Sequence, residues 1–142
     1  MSALVLDASV ALKWAFPAGE PFVAQAVQLL KSYTEAKTSL LVPDLFWAEF
    51  GNIAWKGVRQ KRWSRTSAEI AVAEMRARRF PTVSSAVLLP QALEIAINFG
   101  RSVYDSLYVA LAVSAKSQLV TADERLANAL AAYLPVKWLG AL

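Results

Sequence analysis

The sequence predicts an α/β fold built on a parallel sheet wrapped on both faces by helices. Three observations carry that prediction. Short apolar runs at residues 3–6, 39–42 and 118–121 lack the alternation of a half-exposed strand and suit strands buried on both faces. The stretches between them place apolar residues at helical spacing. Strands that alternate with helices are the pattern of parallel sheets. No internal repeat, linker or low-complexity segment interrupts the 142 residues, so the length 1–142 reads as a single domain.

The first strand, Leu4-Val5-Leu6, ends on Asp7, and Ser9 follows two residues later. In an open parallel sheet, ligands gather outside the carboxyl ends of the strands, so an acid there is a site candidate. The plainer reading is that Asp7 or Ser9 caps the next helix. Residues 10–14 make a short helical turn, broken by the Pro- and Gly-containing stretch at 16–21. Residues 22–33 form a helix with Val23, Ala26, Val27 and Leu30 on one face. After the strand at 39–42, Pro43 suits the first turn of a helix running to about residue 59. That helix is apolar nearly all round, through Leu45, Phe46, Trp47, Phe50, Ile53, Ala54 and Trp55. Burial on more than one side follows, including against another subunit. Glu49 and Asn52 interrupt it three residues apart, on one face. A carboxylate in that setting needs a partner such as Lys56, an exposed stripe, a metal or a catalytic role.

Residues 64–79 form the next helix, with Thr66-Ser67-Ala68-Glu69 at the spacing of a capping box. Residues 81–83 form a minor strand. Residues 89–99 are helical and closed by Gly100. Ser102 offers a cap for a helix over about 104–115, and Asp105 in its first turn complements the helix dipole. The strand at 118–121 is followed by Asp123 as the first strand is by Asp7. A helix over 123–133 and a last strand at 136–139 complete the pattern.

Composition narrows the chemistry. Hydrophobic content of 56% with 18% charged residues marks a globular chain. No apolar run has the length of a membrane span, and the start of the chain lacks a signal-like pattern, so a soluble, cytoplasmic protein without a membrane partner is expected. Cys and His are absent. That excludes disulfides, thiol nucleophiles and zinc–thiolate sites, and removes the commonest general base and metal ligand. Catalysis would rest on carboxylates, hydroxyls, amides, Lys, Arg or Tyr. A metal would have an all-oxygen shell, which points to Mg²⁺ or Mn²⁺.

Four of the eleven acids fall at informative places: Asp7, Glu49, Asp105 and Asp123. Parallel topology brings strand ends and the N-termini of following helices to one edge. Carboxylates meeting there repel one another and raise their pKa values unless a cation sits among them. Ser9, Asn52 and Thr121 lie near three of these acids and are candidates to orient them. The net charge of +4 suggests a polyanionic partner. Lys56, Arg59, Lys61, Arg62 and Arg65 cluster, as do Arg76, Arg78 and Arg79; a solvated helix face is the plainer account of such runs.

Asp7-x-Ser9, Pro43 followed by Glu49-x-x-Asn52, Tyr104-Asp105-Ser106-Leu107-Tyr108, and Thr121-x-Asp123-x-x-Leu126 together resemble the PIN-domain nucleases. The nearest likeness is to the VapC-type ribonuclease toxins of toxin–antitoxin pairs, and it runs from the first strand to Val136. The resemblance implies a three-layer α/β/α sandwich with a mostly four- to five-stranded parallel sheet, often assembled as a homodimer. It assigns Asp7, Glu49, Asp105 and Asp123 to an acidic Mg²⁺ or Mn²⁺ site, with Glu124 outside the core set. It implies RNA cleavage leaving a 5′-phosphate and a 3′-hydroxyl, under control of a cognate antitoxin. Lys13, Arg59, Arg62 and Arg101 are the candidates to track the RNA backbone. Trp14 and Phe16 stack on unpaired bases, receive an antitoxin segment, or belong to the core. The rival readings are a housekeeping PIN nuclease in RNA processing and a catalytically silent PIN-fold binding module.

Overall fold

The structure, a computed structural model, describes residues 2–142. Its strands are β1 (Ser2–Leu6), β2 (Thr38–Pro43), β3 (Thr82–Val83), β4 (Gln118–Thr121) and β5 (Val136–Trp138). All pair in parallel, in the order β3-β2-β1-β4-β5. The helices are α1 (Ala8–Ala15), α2 (Val23–Thr34), α3 (Leu45–Arg59), α4 (Arg65–Ala77), α5 (Ser85–Phe99), α6 (Val103–Ser114) and α7 (Glu124–Leu130). A short 3-10 turn, Leu139–Ala141, follows β5. The α/β class, the parallel sheet and the five strands expected from the sequence are those observed.

The apolar runs are explained by position. β1 is the central strand, and successive residues of a strand point to opposite faces. Val5 and Leu6 are both buried, as are Leu119 and Val120 of β4, so both faces of the sheet are covered. α6 is buried from Ser106 through Ala112 and packs against α5 and three strands. That placement accounts for a helix with almost no polar side.

Several local expectations need correction. Pro43 ends β2 instead of opening α3. The amides on either side of it, Val42 and Asp44, bond the carbonyls of Pro81 and Val83, so the missing N–H falls where no ladder bond is needed. α4 is capped by Ser64, whose Oγ accepts from Ser67 N at 3.0 Å. Glu69 pairs with Arg65 at 2.6 Å instead of closing a box with Thr66. α5 begins at Ser85, four residues before the expected start. Ser84 caps it, and Pro90 lies inside it on an exposed side, where water can satisfy the carbonyl that lacks a donor.

α3 is covered on one side within the chain, while Trp55 on its other side is exposed. Phe46, Phe50, Ala54 and Gly57 are buried, α4 packs alongside, and Trp63 closes the end. The Trp63 indole donates to the Ala54 carbonyl at 3.0 Å, and Phe16 stacks on it with centroids 3.7 Å apart. Trp14 donates to the Ala26 carbonyl at 2.7 Å. Both aromatics that the sequence offered for base stacking are thus engaged in the fold. Besides Trp55 of α3, exposed apolar residues gather on α5 at Val87, Leu89, Leu93 and Ile97. Among the described residues no helix is long and apolar enough to cross a membrane.

Gly57 shows how tight the α3 end is. A Cβ built there would lie 1.9 Å from two carbons of the Trp63 ring. Gly57→Ala is therefore expected to destabilise the protein by about 2 kcal/mol through overpacking, although Ala is the better helix former. A urea midpoint that stays level or rises would show that Trp63 swings clear at no cost.

Candidate functional site

Asp7 follows the last residue of β1. The β1–β4 register pairs Leu6 with Val120, and one residue on, Asp7 comes alongside Thr121. Thr121 Oγ1 donates to Asp7 Oδ2, and Ser9 donates to Oδ1 through both its backbone N–H, at 3.1 Å, and its hydroxyl. The same residues close a ring. Ser9 Oγ accepts from Ala122 N at 3.1 Å, and Thr121 Oγ1 accepts from Asp123 N at 3.0 Å. Asp7 is the N-cap of α1, so the capping reading holds, and its carboxylate also lines a cavity. Burial pushes the Asp7 carboxyl up to about 6, the hydroxyls of Ser9 and Thr121 pull it down, and the charge of Glu49 adds to the rise.

That cavity, about 550 Å³, is open to solvent. Glu49, Asp105 and Asp123 line it with Asp7, as do Ser9 and Asn52. Thr121 sits beneath Asp7, fully buried. Glu49 projects from α3 and accepts from the buried Tyr108 hydroxyl at 2.6 Å. Burial raises the Glu49 pKa, the Tyr108 bond lowers it and the Asp105 charge raises it. Asp105 occupies the first turn of α6, whose cap is Ser102, and pairs with Arg101 at 3.4 Å. Asp123 caps α7 through Leu126 N at 3.2 Å. Glu124 is an exposed first-turn residue of that helix.

The hydrogen bond to Glu49 comes from Tyr108 and not from Asn52 one turn along. Tyr108 stands in the quoted Tyr104–Tyr108 motif, but sequence reasoning gave it no role of its own. Its signal was a phenol three positions after Asp105, within one helical turn of a candidate acid. Lys56 also lines the cavity, on the face of α3 that carries Glu49 and Asn52. Lys13 does not belong here. It is buried, with its ammonium 3.1 Å from Glu20 and 2.7 Å from the Pro21 carbonyl. Its reading as an RNA contact is corrected accordingly, because a cation so enclosed cannot reach a phosphate. Arg59 and Arg62 are exposed, resting on the rings of Trp55 at 5.3 Å and Trp63 at 5.1 Å.

The donor set suits a hard divalent cation: four carboxylates around one cavity, in a chain with no His or Cys. Among the described residues no three of them are already gathered closely enough to form a cation cage.

A PIN domain family model matches residues 4–130. No curated protein matches the chain by sequence. Among solved structures, PAE2754 from Pyrobaculum aerophilum superposes with a TM-score of 0.73 at 21% identity, covering 99% of this chain and 85% of that one. Mycobacterium tuberculosis VapC20, described as a sarcin–ricin loop cleaving toxin, gives 0.67 at 18% identity, with 92% and 95% covered. A toxin–antitoxin complex from Klebsiella pneumoniae gives 0.64 at 14% identity, with 94% and 95% covered. At such identities the likeness is one of fold.

The buried acid makes stability depend on pH. Asp7 is protonated up to about pH 6 in the fold, against 3.8 ordinarily. Between those values the folded state binds more protons than the unfolded one, so stability falls as pH rises from about 4 to about 6. The full change is about 3 kcal/mol, at ~1.4 kcal/mol per pKa unit. Asp7→Asn removes this cost and keeps the shape. In chelator at about pH 7.5 its melting temperature is expected to match or exceed that of the wild type, and the advantage to vanish near pH 4. A variant that melts far below the wild type at the higher pH would show that the lost acceptor outweighs the relieved burial.

Proposed function

The chain belongs to the PIN-domain family, and on that premise we propose that it is a metal-dependent endoribonuclease, the toxin of a toxin–antitoxin pair. The observation that carries this reading is the convergence of Asp7, Glu49, Asp105 and Asp123 on one cavity from four separate elements. The likeness of fold to proteins described as toxins and toxin–antitoxin complexes supports the toxin half of it.

Asp7, Glu49, Asp105 and Asp123 would hold Mg²⁺ or Mn²⁺. When bound, such a cation supplies Lewis-acid chemistry that assists in-line attack of water on a phosphodiester. The chain's own groups prepare that site. Ser9 and Thr121 aim Asp7 and favour its charged form. Lys56 on the cavity wall offers a positive charge to a bound phosphate. Arg59 and Arg62 would track the RNA backbone beyond the cavity. Arg101, one turn before Asp105, would add its charge at the rim. Ser102 and the first turn of α6 keep Asp105 at a helix N-terminus, where negative charge is favoured. The proposed partners are RNA, a cognate antitoxin and a second copy of the chain, in the cytoplasm. The exposed apolar residues of α5 support that helix as the surface where a second copy would pack.

The purified protein is expected to cleave single-stranded or loop RNA with Mg²⁺ or Mn²⁺ and to stop in chelator. Full cleavage in excess chelator, with metals shown to be absent, would overturn the metal assignment. Equal cleavage of duplex DNA would overturn the ribonuclease assignment. Asp7→Asn and Asp105→Asn are each expected to lower kcat/KM at least tenfold, about 1.4 kcal/mol or more of transition-state stabilisation.

Binding is expected to weaken steeply with salt. Replacing both Arg59 and Arg62 with Ala should weaken RNA affinity and flatten the salt dependence by up to about two contacts. Unchanged binding in a filter assay would mean that these side chains only decorate a solvated face.

A further inference from the structure

We infer that Tyr108 is a positioning residue for Glu49, its buried phenol holding the carboxylate at the place where it can serve as a ligand. The inference rests on the metal-site reading above and adds a residue to it. Tyr108 lies on α6 and is 3% exposed, while Glu49 lies on α3 and is only half-buried. The phenol Oη sits 2.6 Å from Glu49 Oε1. An ionised carboxylate only accepts, so the hydroxyl is the donor. The Asp7 charge is near enough to be felt at the same phenol. One hydroxyl thus joins α6 to α3 at the wall of the cavity that the acids share.

Glu49 needs such a tether. A glutamate side chain has three free torsions, and fixing it costs conformational entropy. The charges of Asp7 and Asp105 flank it and both favour its departure toward solvent. Burial and the neighbouring carboxylate push the Tyr108 phenol far above its usual range, so it remains a donor at every working pH. The plainer account is that a buried phenol merely takes whichever acceptor is near. That account predicts loss of stability on removing the hydroxyl, with no effect on a cation.

The test uses the full chain and Mn²⁺ alone, followed by electron paramagnetic resonance of the free ion. Tyr108→Phe keeps the ring and deletes the hydroxyl. It is expected to weaken Mn²⁺ binding about tenfold and to lower kcat for RNA cleavage with KM unchanged. Glu49→Ala is expected to weaken Mn²⁺ at least as much. The double variant should bind no more weakly than Glu49→Ala, because the phenol acts through that carboxylate. Wild-type Mn²⁺ affinity in Tyr108→Phe, or additive losses in the double variant, would overturn the inference. Should Tyr108→Phe fail to fold, the Tyr108 hydroxyl proton in wild-type NMR spectra decides. It is expected to shift when Mg²⁺ is added, and an unmoved signal overturns the inference. A wild type that binds Mn²⁺ but cleaves no RNA would remove the ribonuclease reading and leave Tyr108 to the titration. A wild type that binds no Mn²⁺ would remove both.

Discussion

A carboxylate held out of water at the end of the central strand is the constraint on which the rest depends. Burial of Asp7 disfavours its charge, and the compensating donors come from two different places. Ser9 is supplied by the first turn of α1, and Thr121 by the neighbouring strand. The second donor exists only because β1 and β4 pair in one register. A slip of one residue would turn every side chain of the strand to the other face and replace the hydroxyl with Val120 or Ala122. The ring through Ala122 N and Asp123 N then ties the start of α7 to the same acid. Sheet register, helix start and charge placement are therefore one arrangement.

Ending a helix and lining the cavity are compatible placements for the acids in this fold. Asp7 caps α1, Asp123 caps α7, and Asp105 sits in the first turn of α6. Each negative charge faces the positive end of a helix dipole, which stabilises it at modest strength without any cation. Parallel strands feeding helices bring those helix starts to one sheet edge. Glu49 is the exception. It projects from the middle of α3, has no helix terminus to steady it, and relies on the Tyr108 hydroxyl instead. It is also the acid whose charge couples to both Asp7 and Asp105.

The basic residues divide in the same physical way. Lys13, close in sequence to the first acid, is enclosed by Glu20 and the Pro21 carbonyl and serves the fold. Arg59 and Arg62 lie outside, each over an indole ring, where cation and aromatic face attract while the guanidinium stays in water. Lys56 shares the cavity-facing side of α3 with Glu49 and Asn52, at the spacing of two helical turns. Charge near the site is thus graded from buried and structural to open and available.

Much of this was legible along the chain. The unbroken apolar runs of β1 and β4 showed strands covered on both sides, and the acids that follow them marked the edge that carries the cavity. Ser102 and Gly100 announced the ends of α6 and α5, since cap residues act through bonds local in sequence. What sequence could not decide were the matters set by long-range contact. Pro43 reads as a helix opener until the register of β2 with β3 shows that its missing N–H has no ladder bond to make. For Phe16 and Trp14 the sequence leaves base stacking, an antitoxin contact and core burial all open until Trp63 and Ala26 are brought against them. The partner of Glu49 is on another helix, far along the chain, and no periodicity reports a hydrogen bond between elements. The sequence by itself determined which segments become strands and helices and which acids stand at their ends. Only the tertiary structure decided which of those acids share a cavity and which side chain holds each one, because burial and hydrogen-bond partners are properties of packed surfaces.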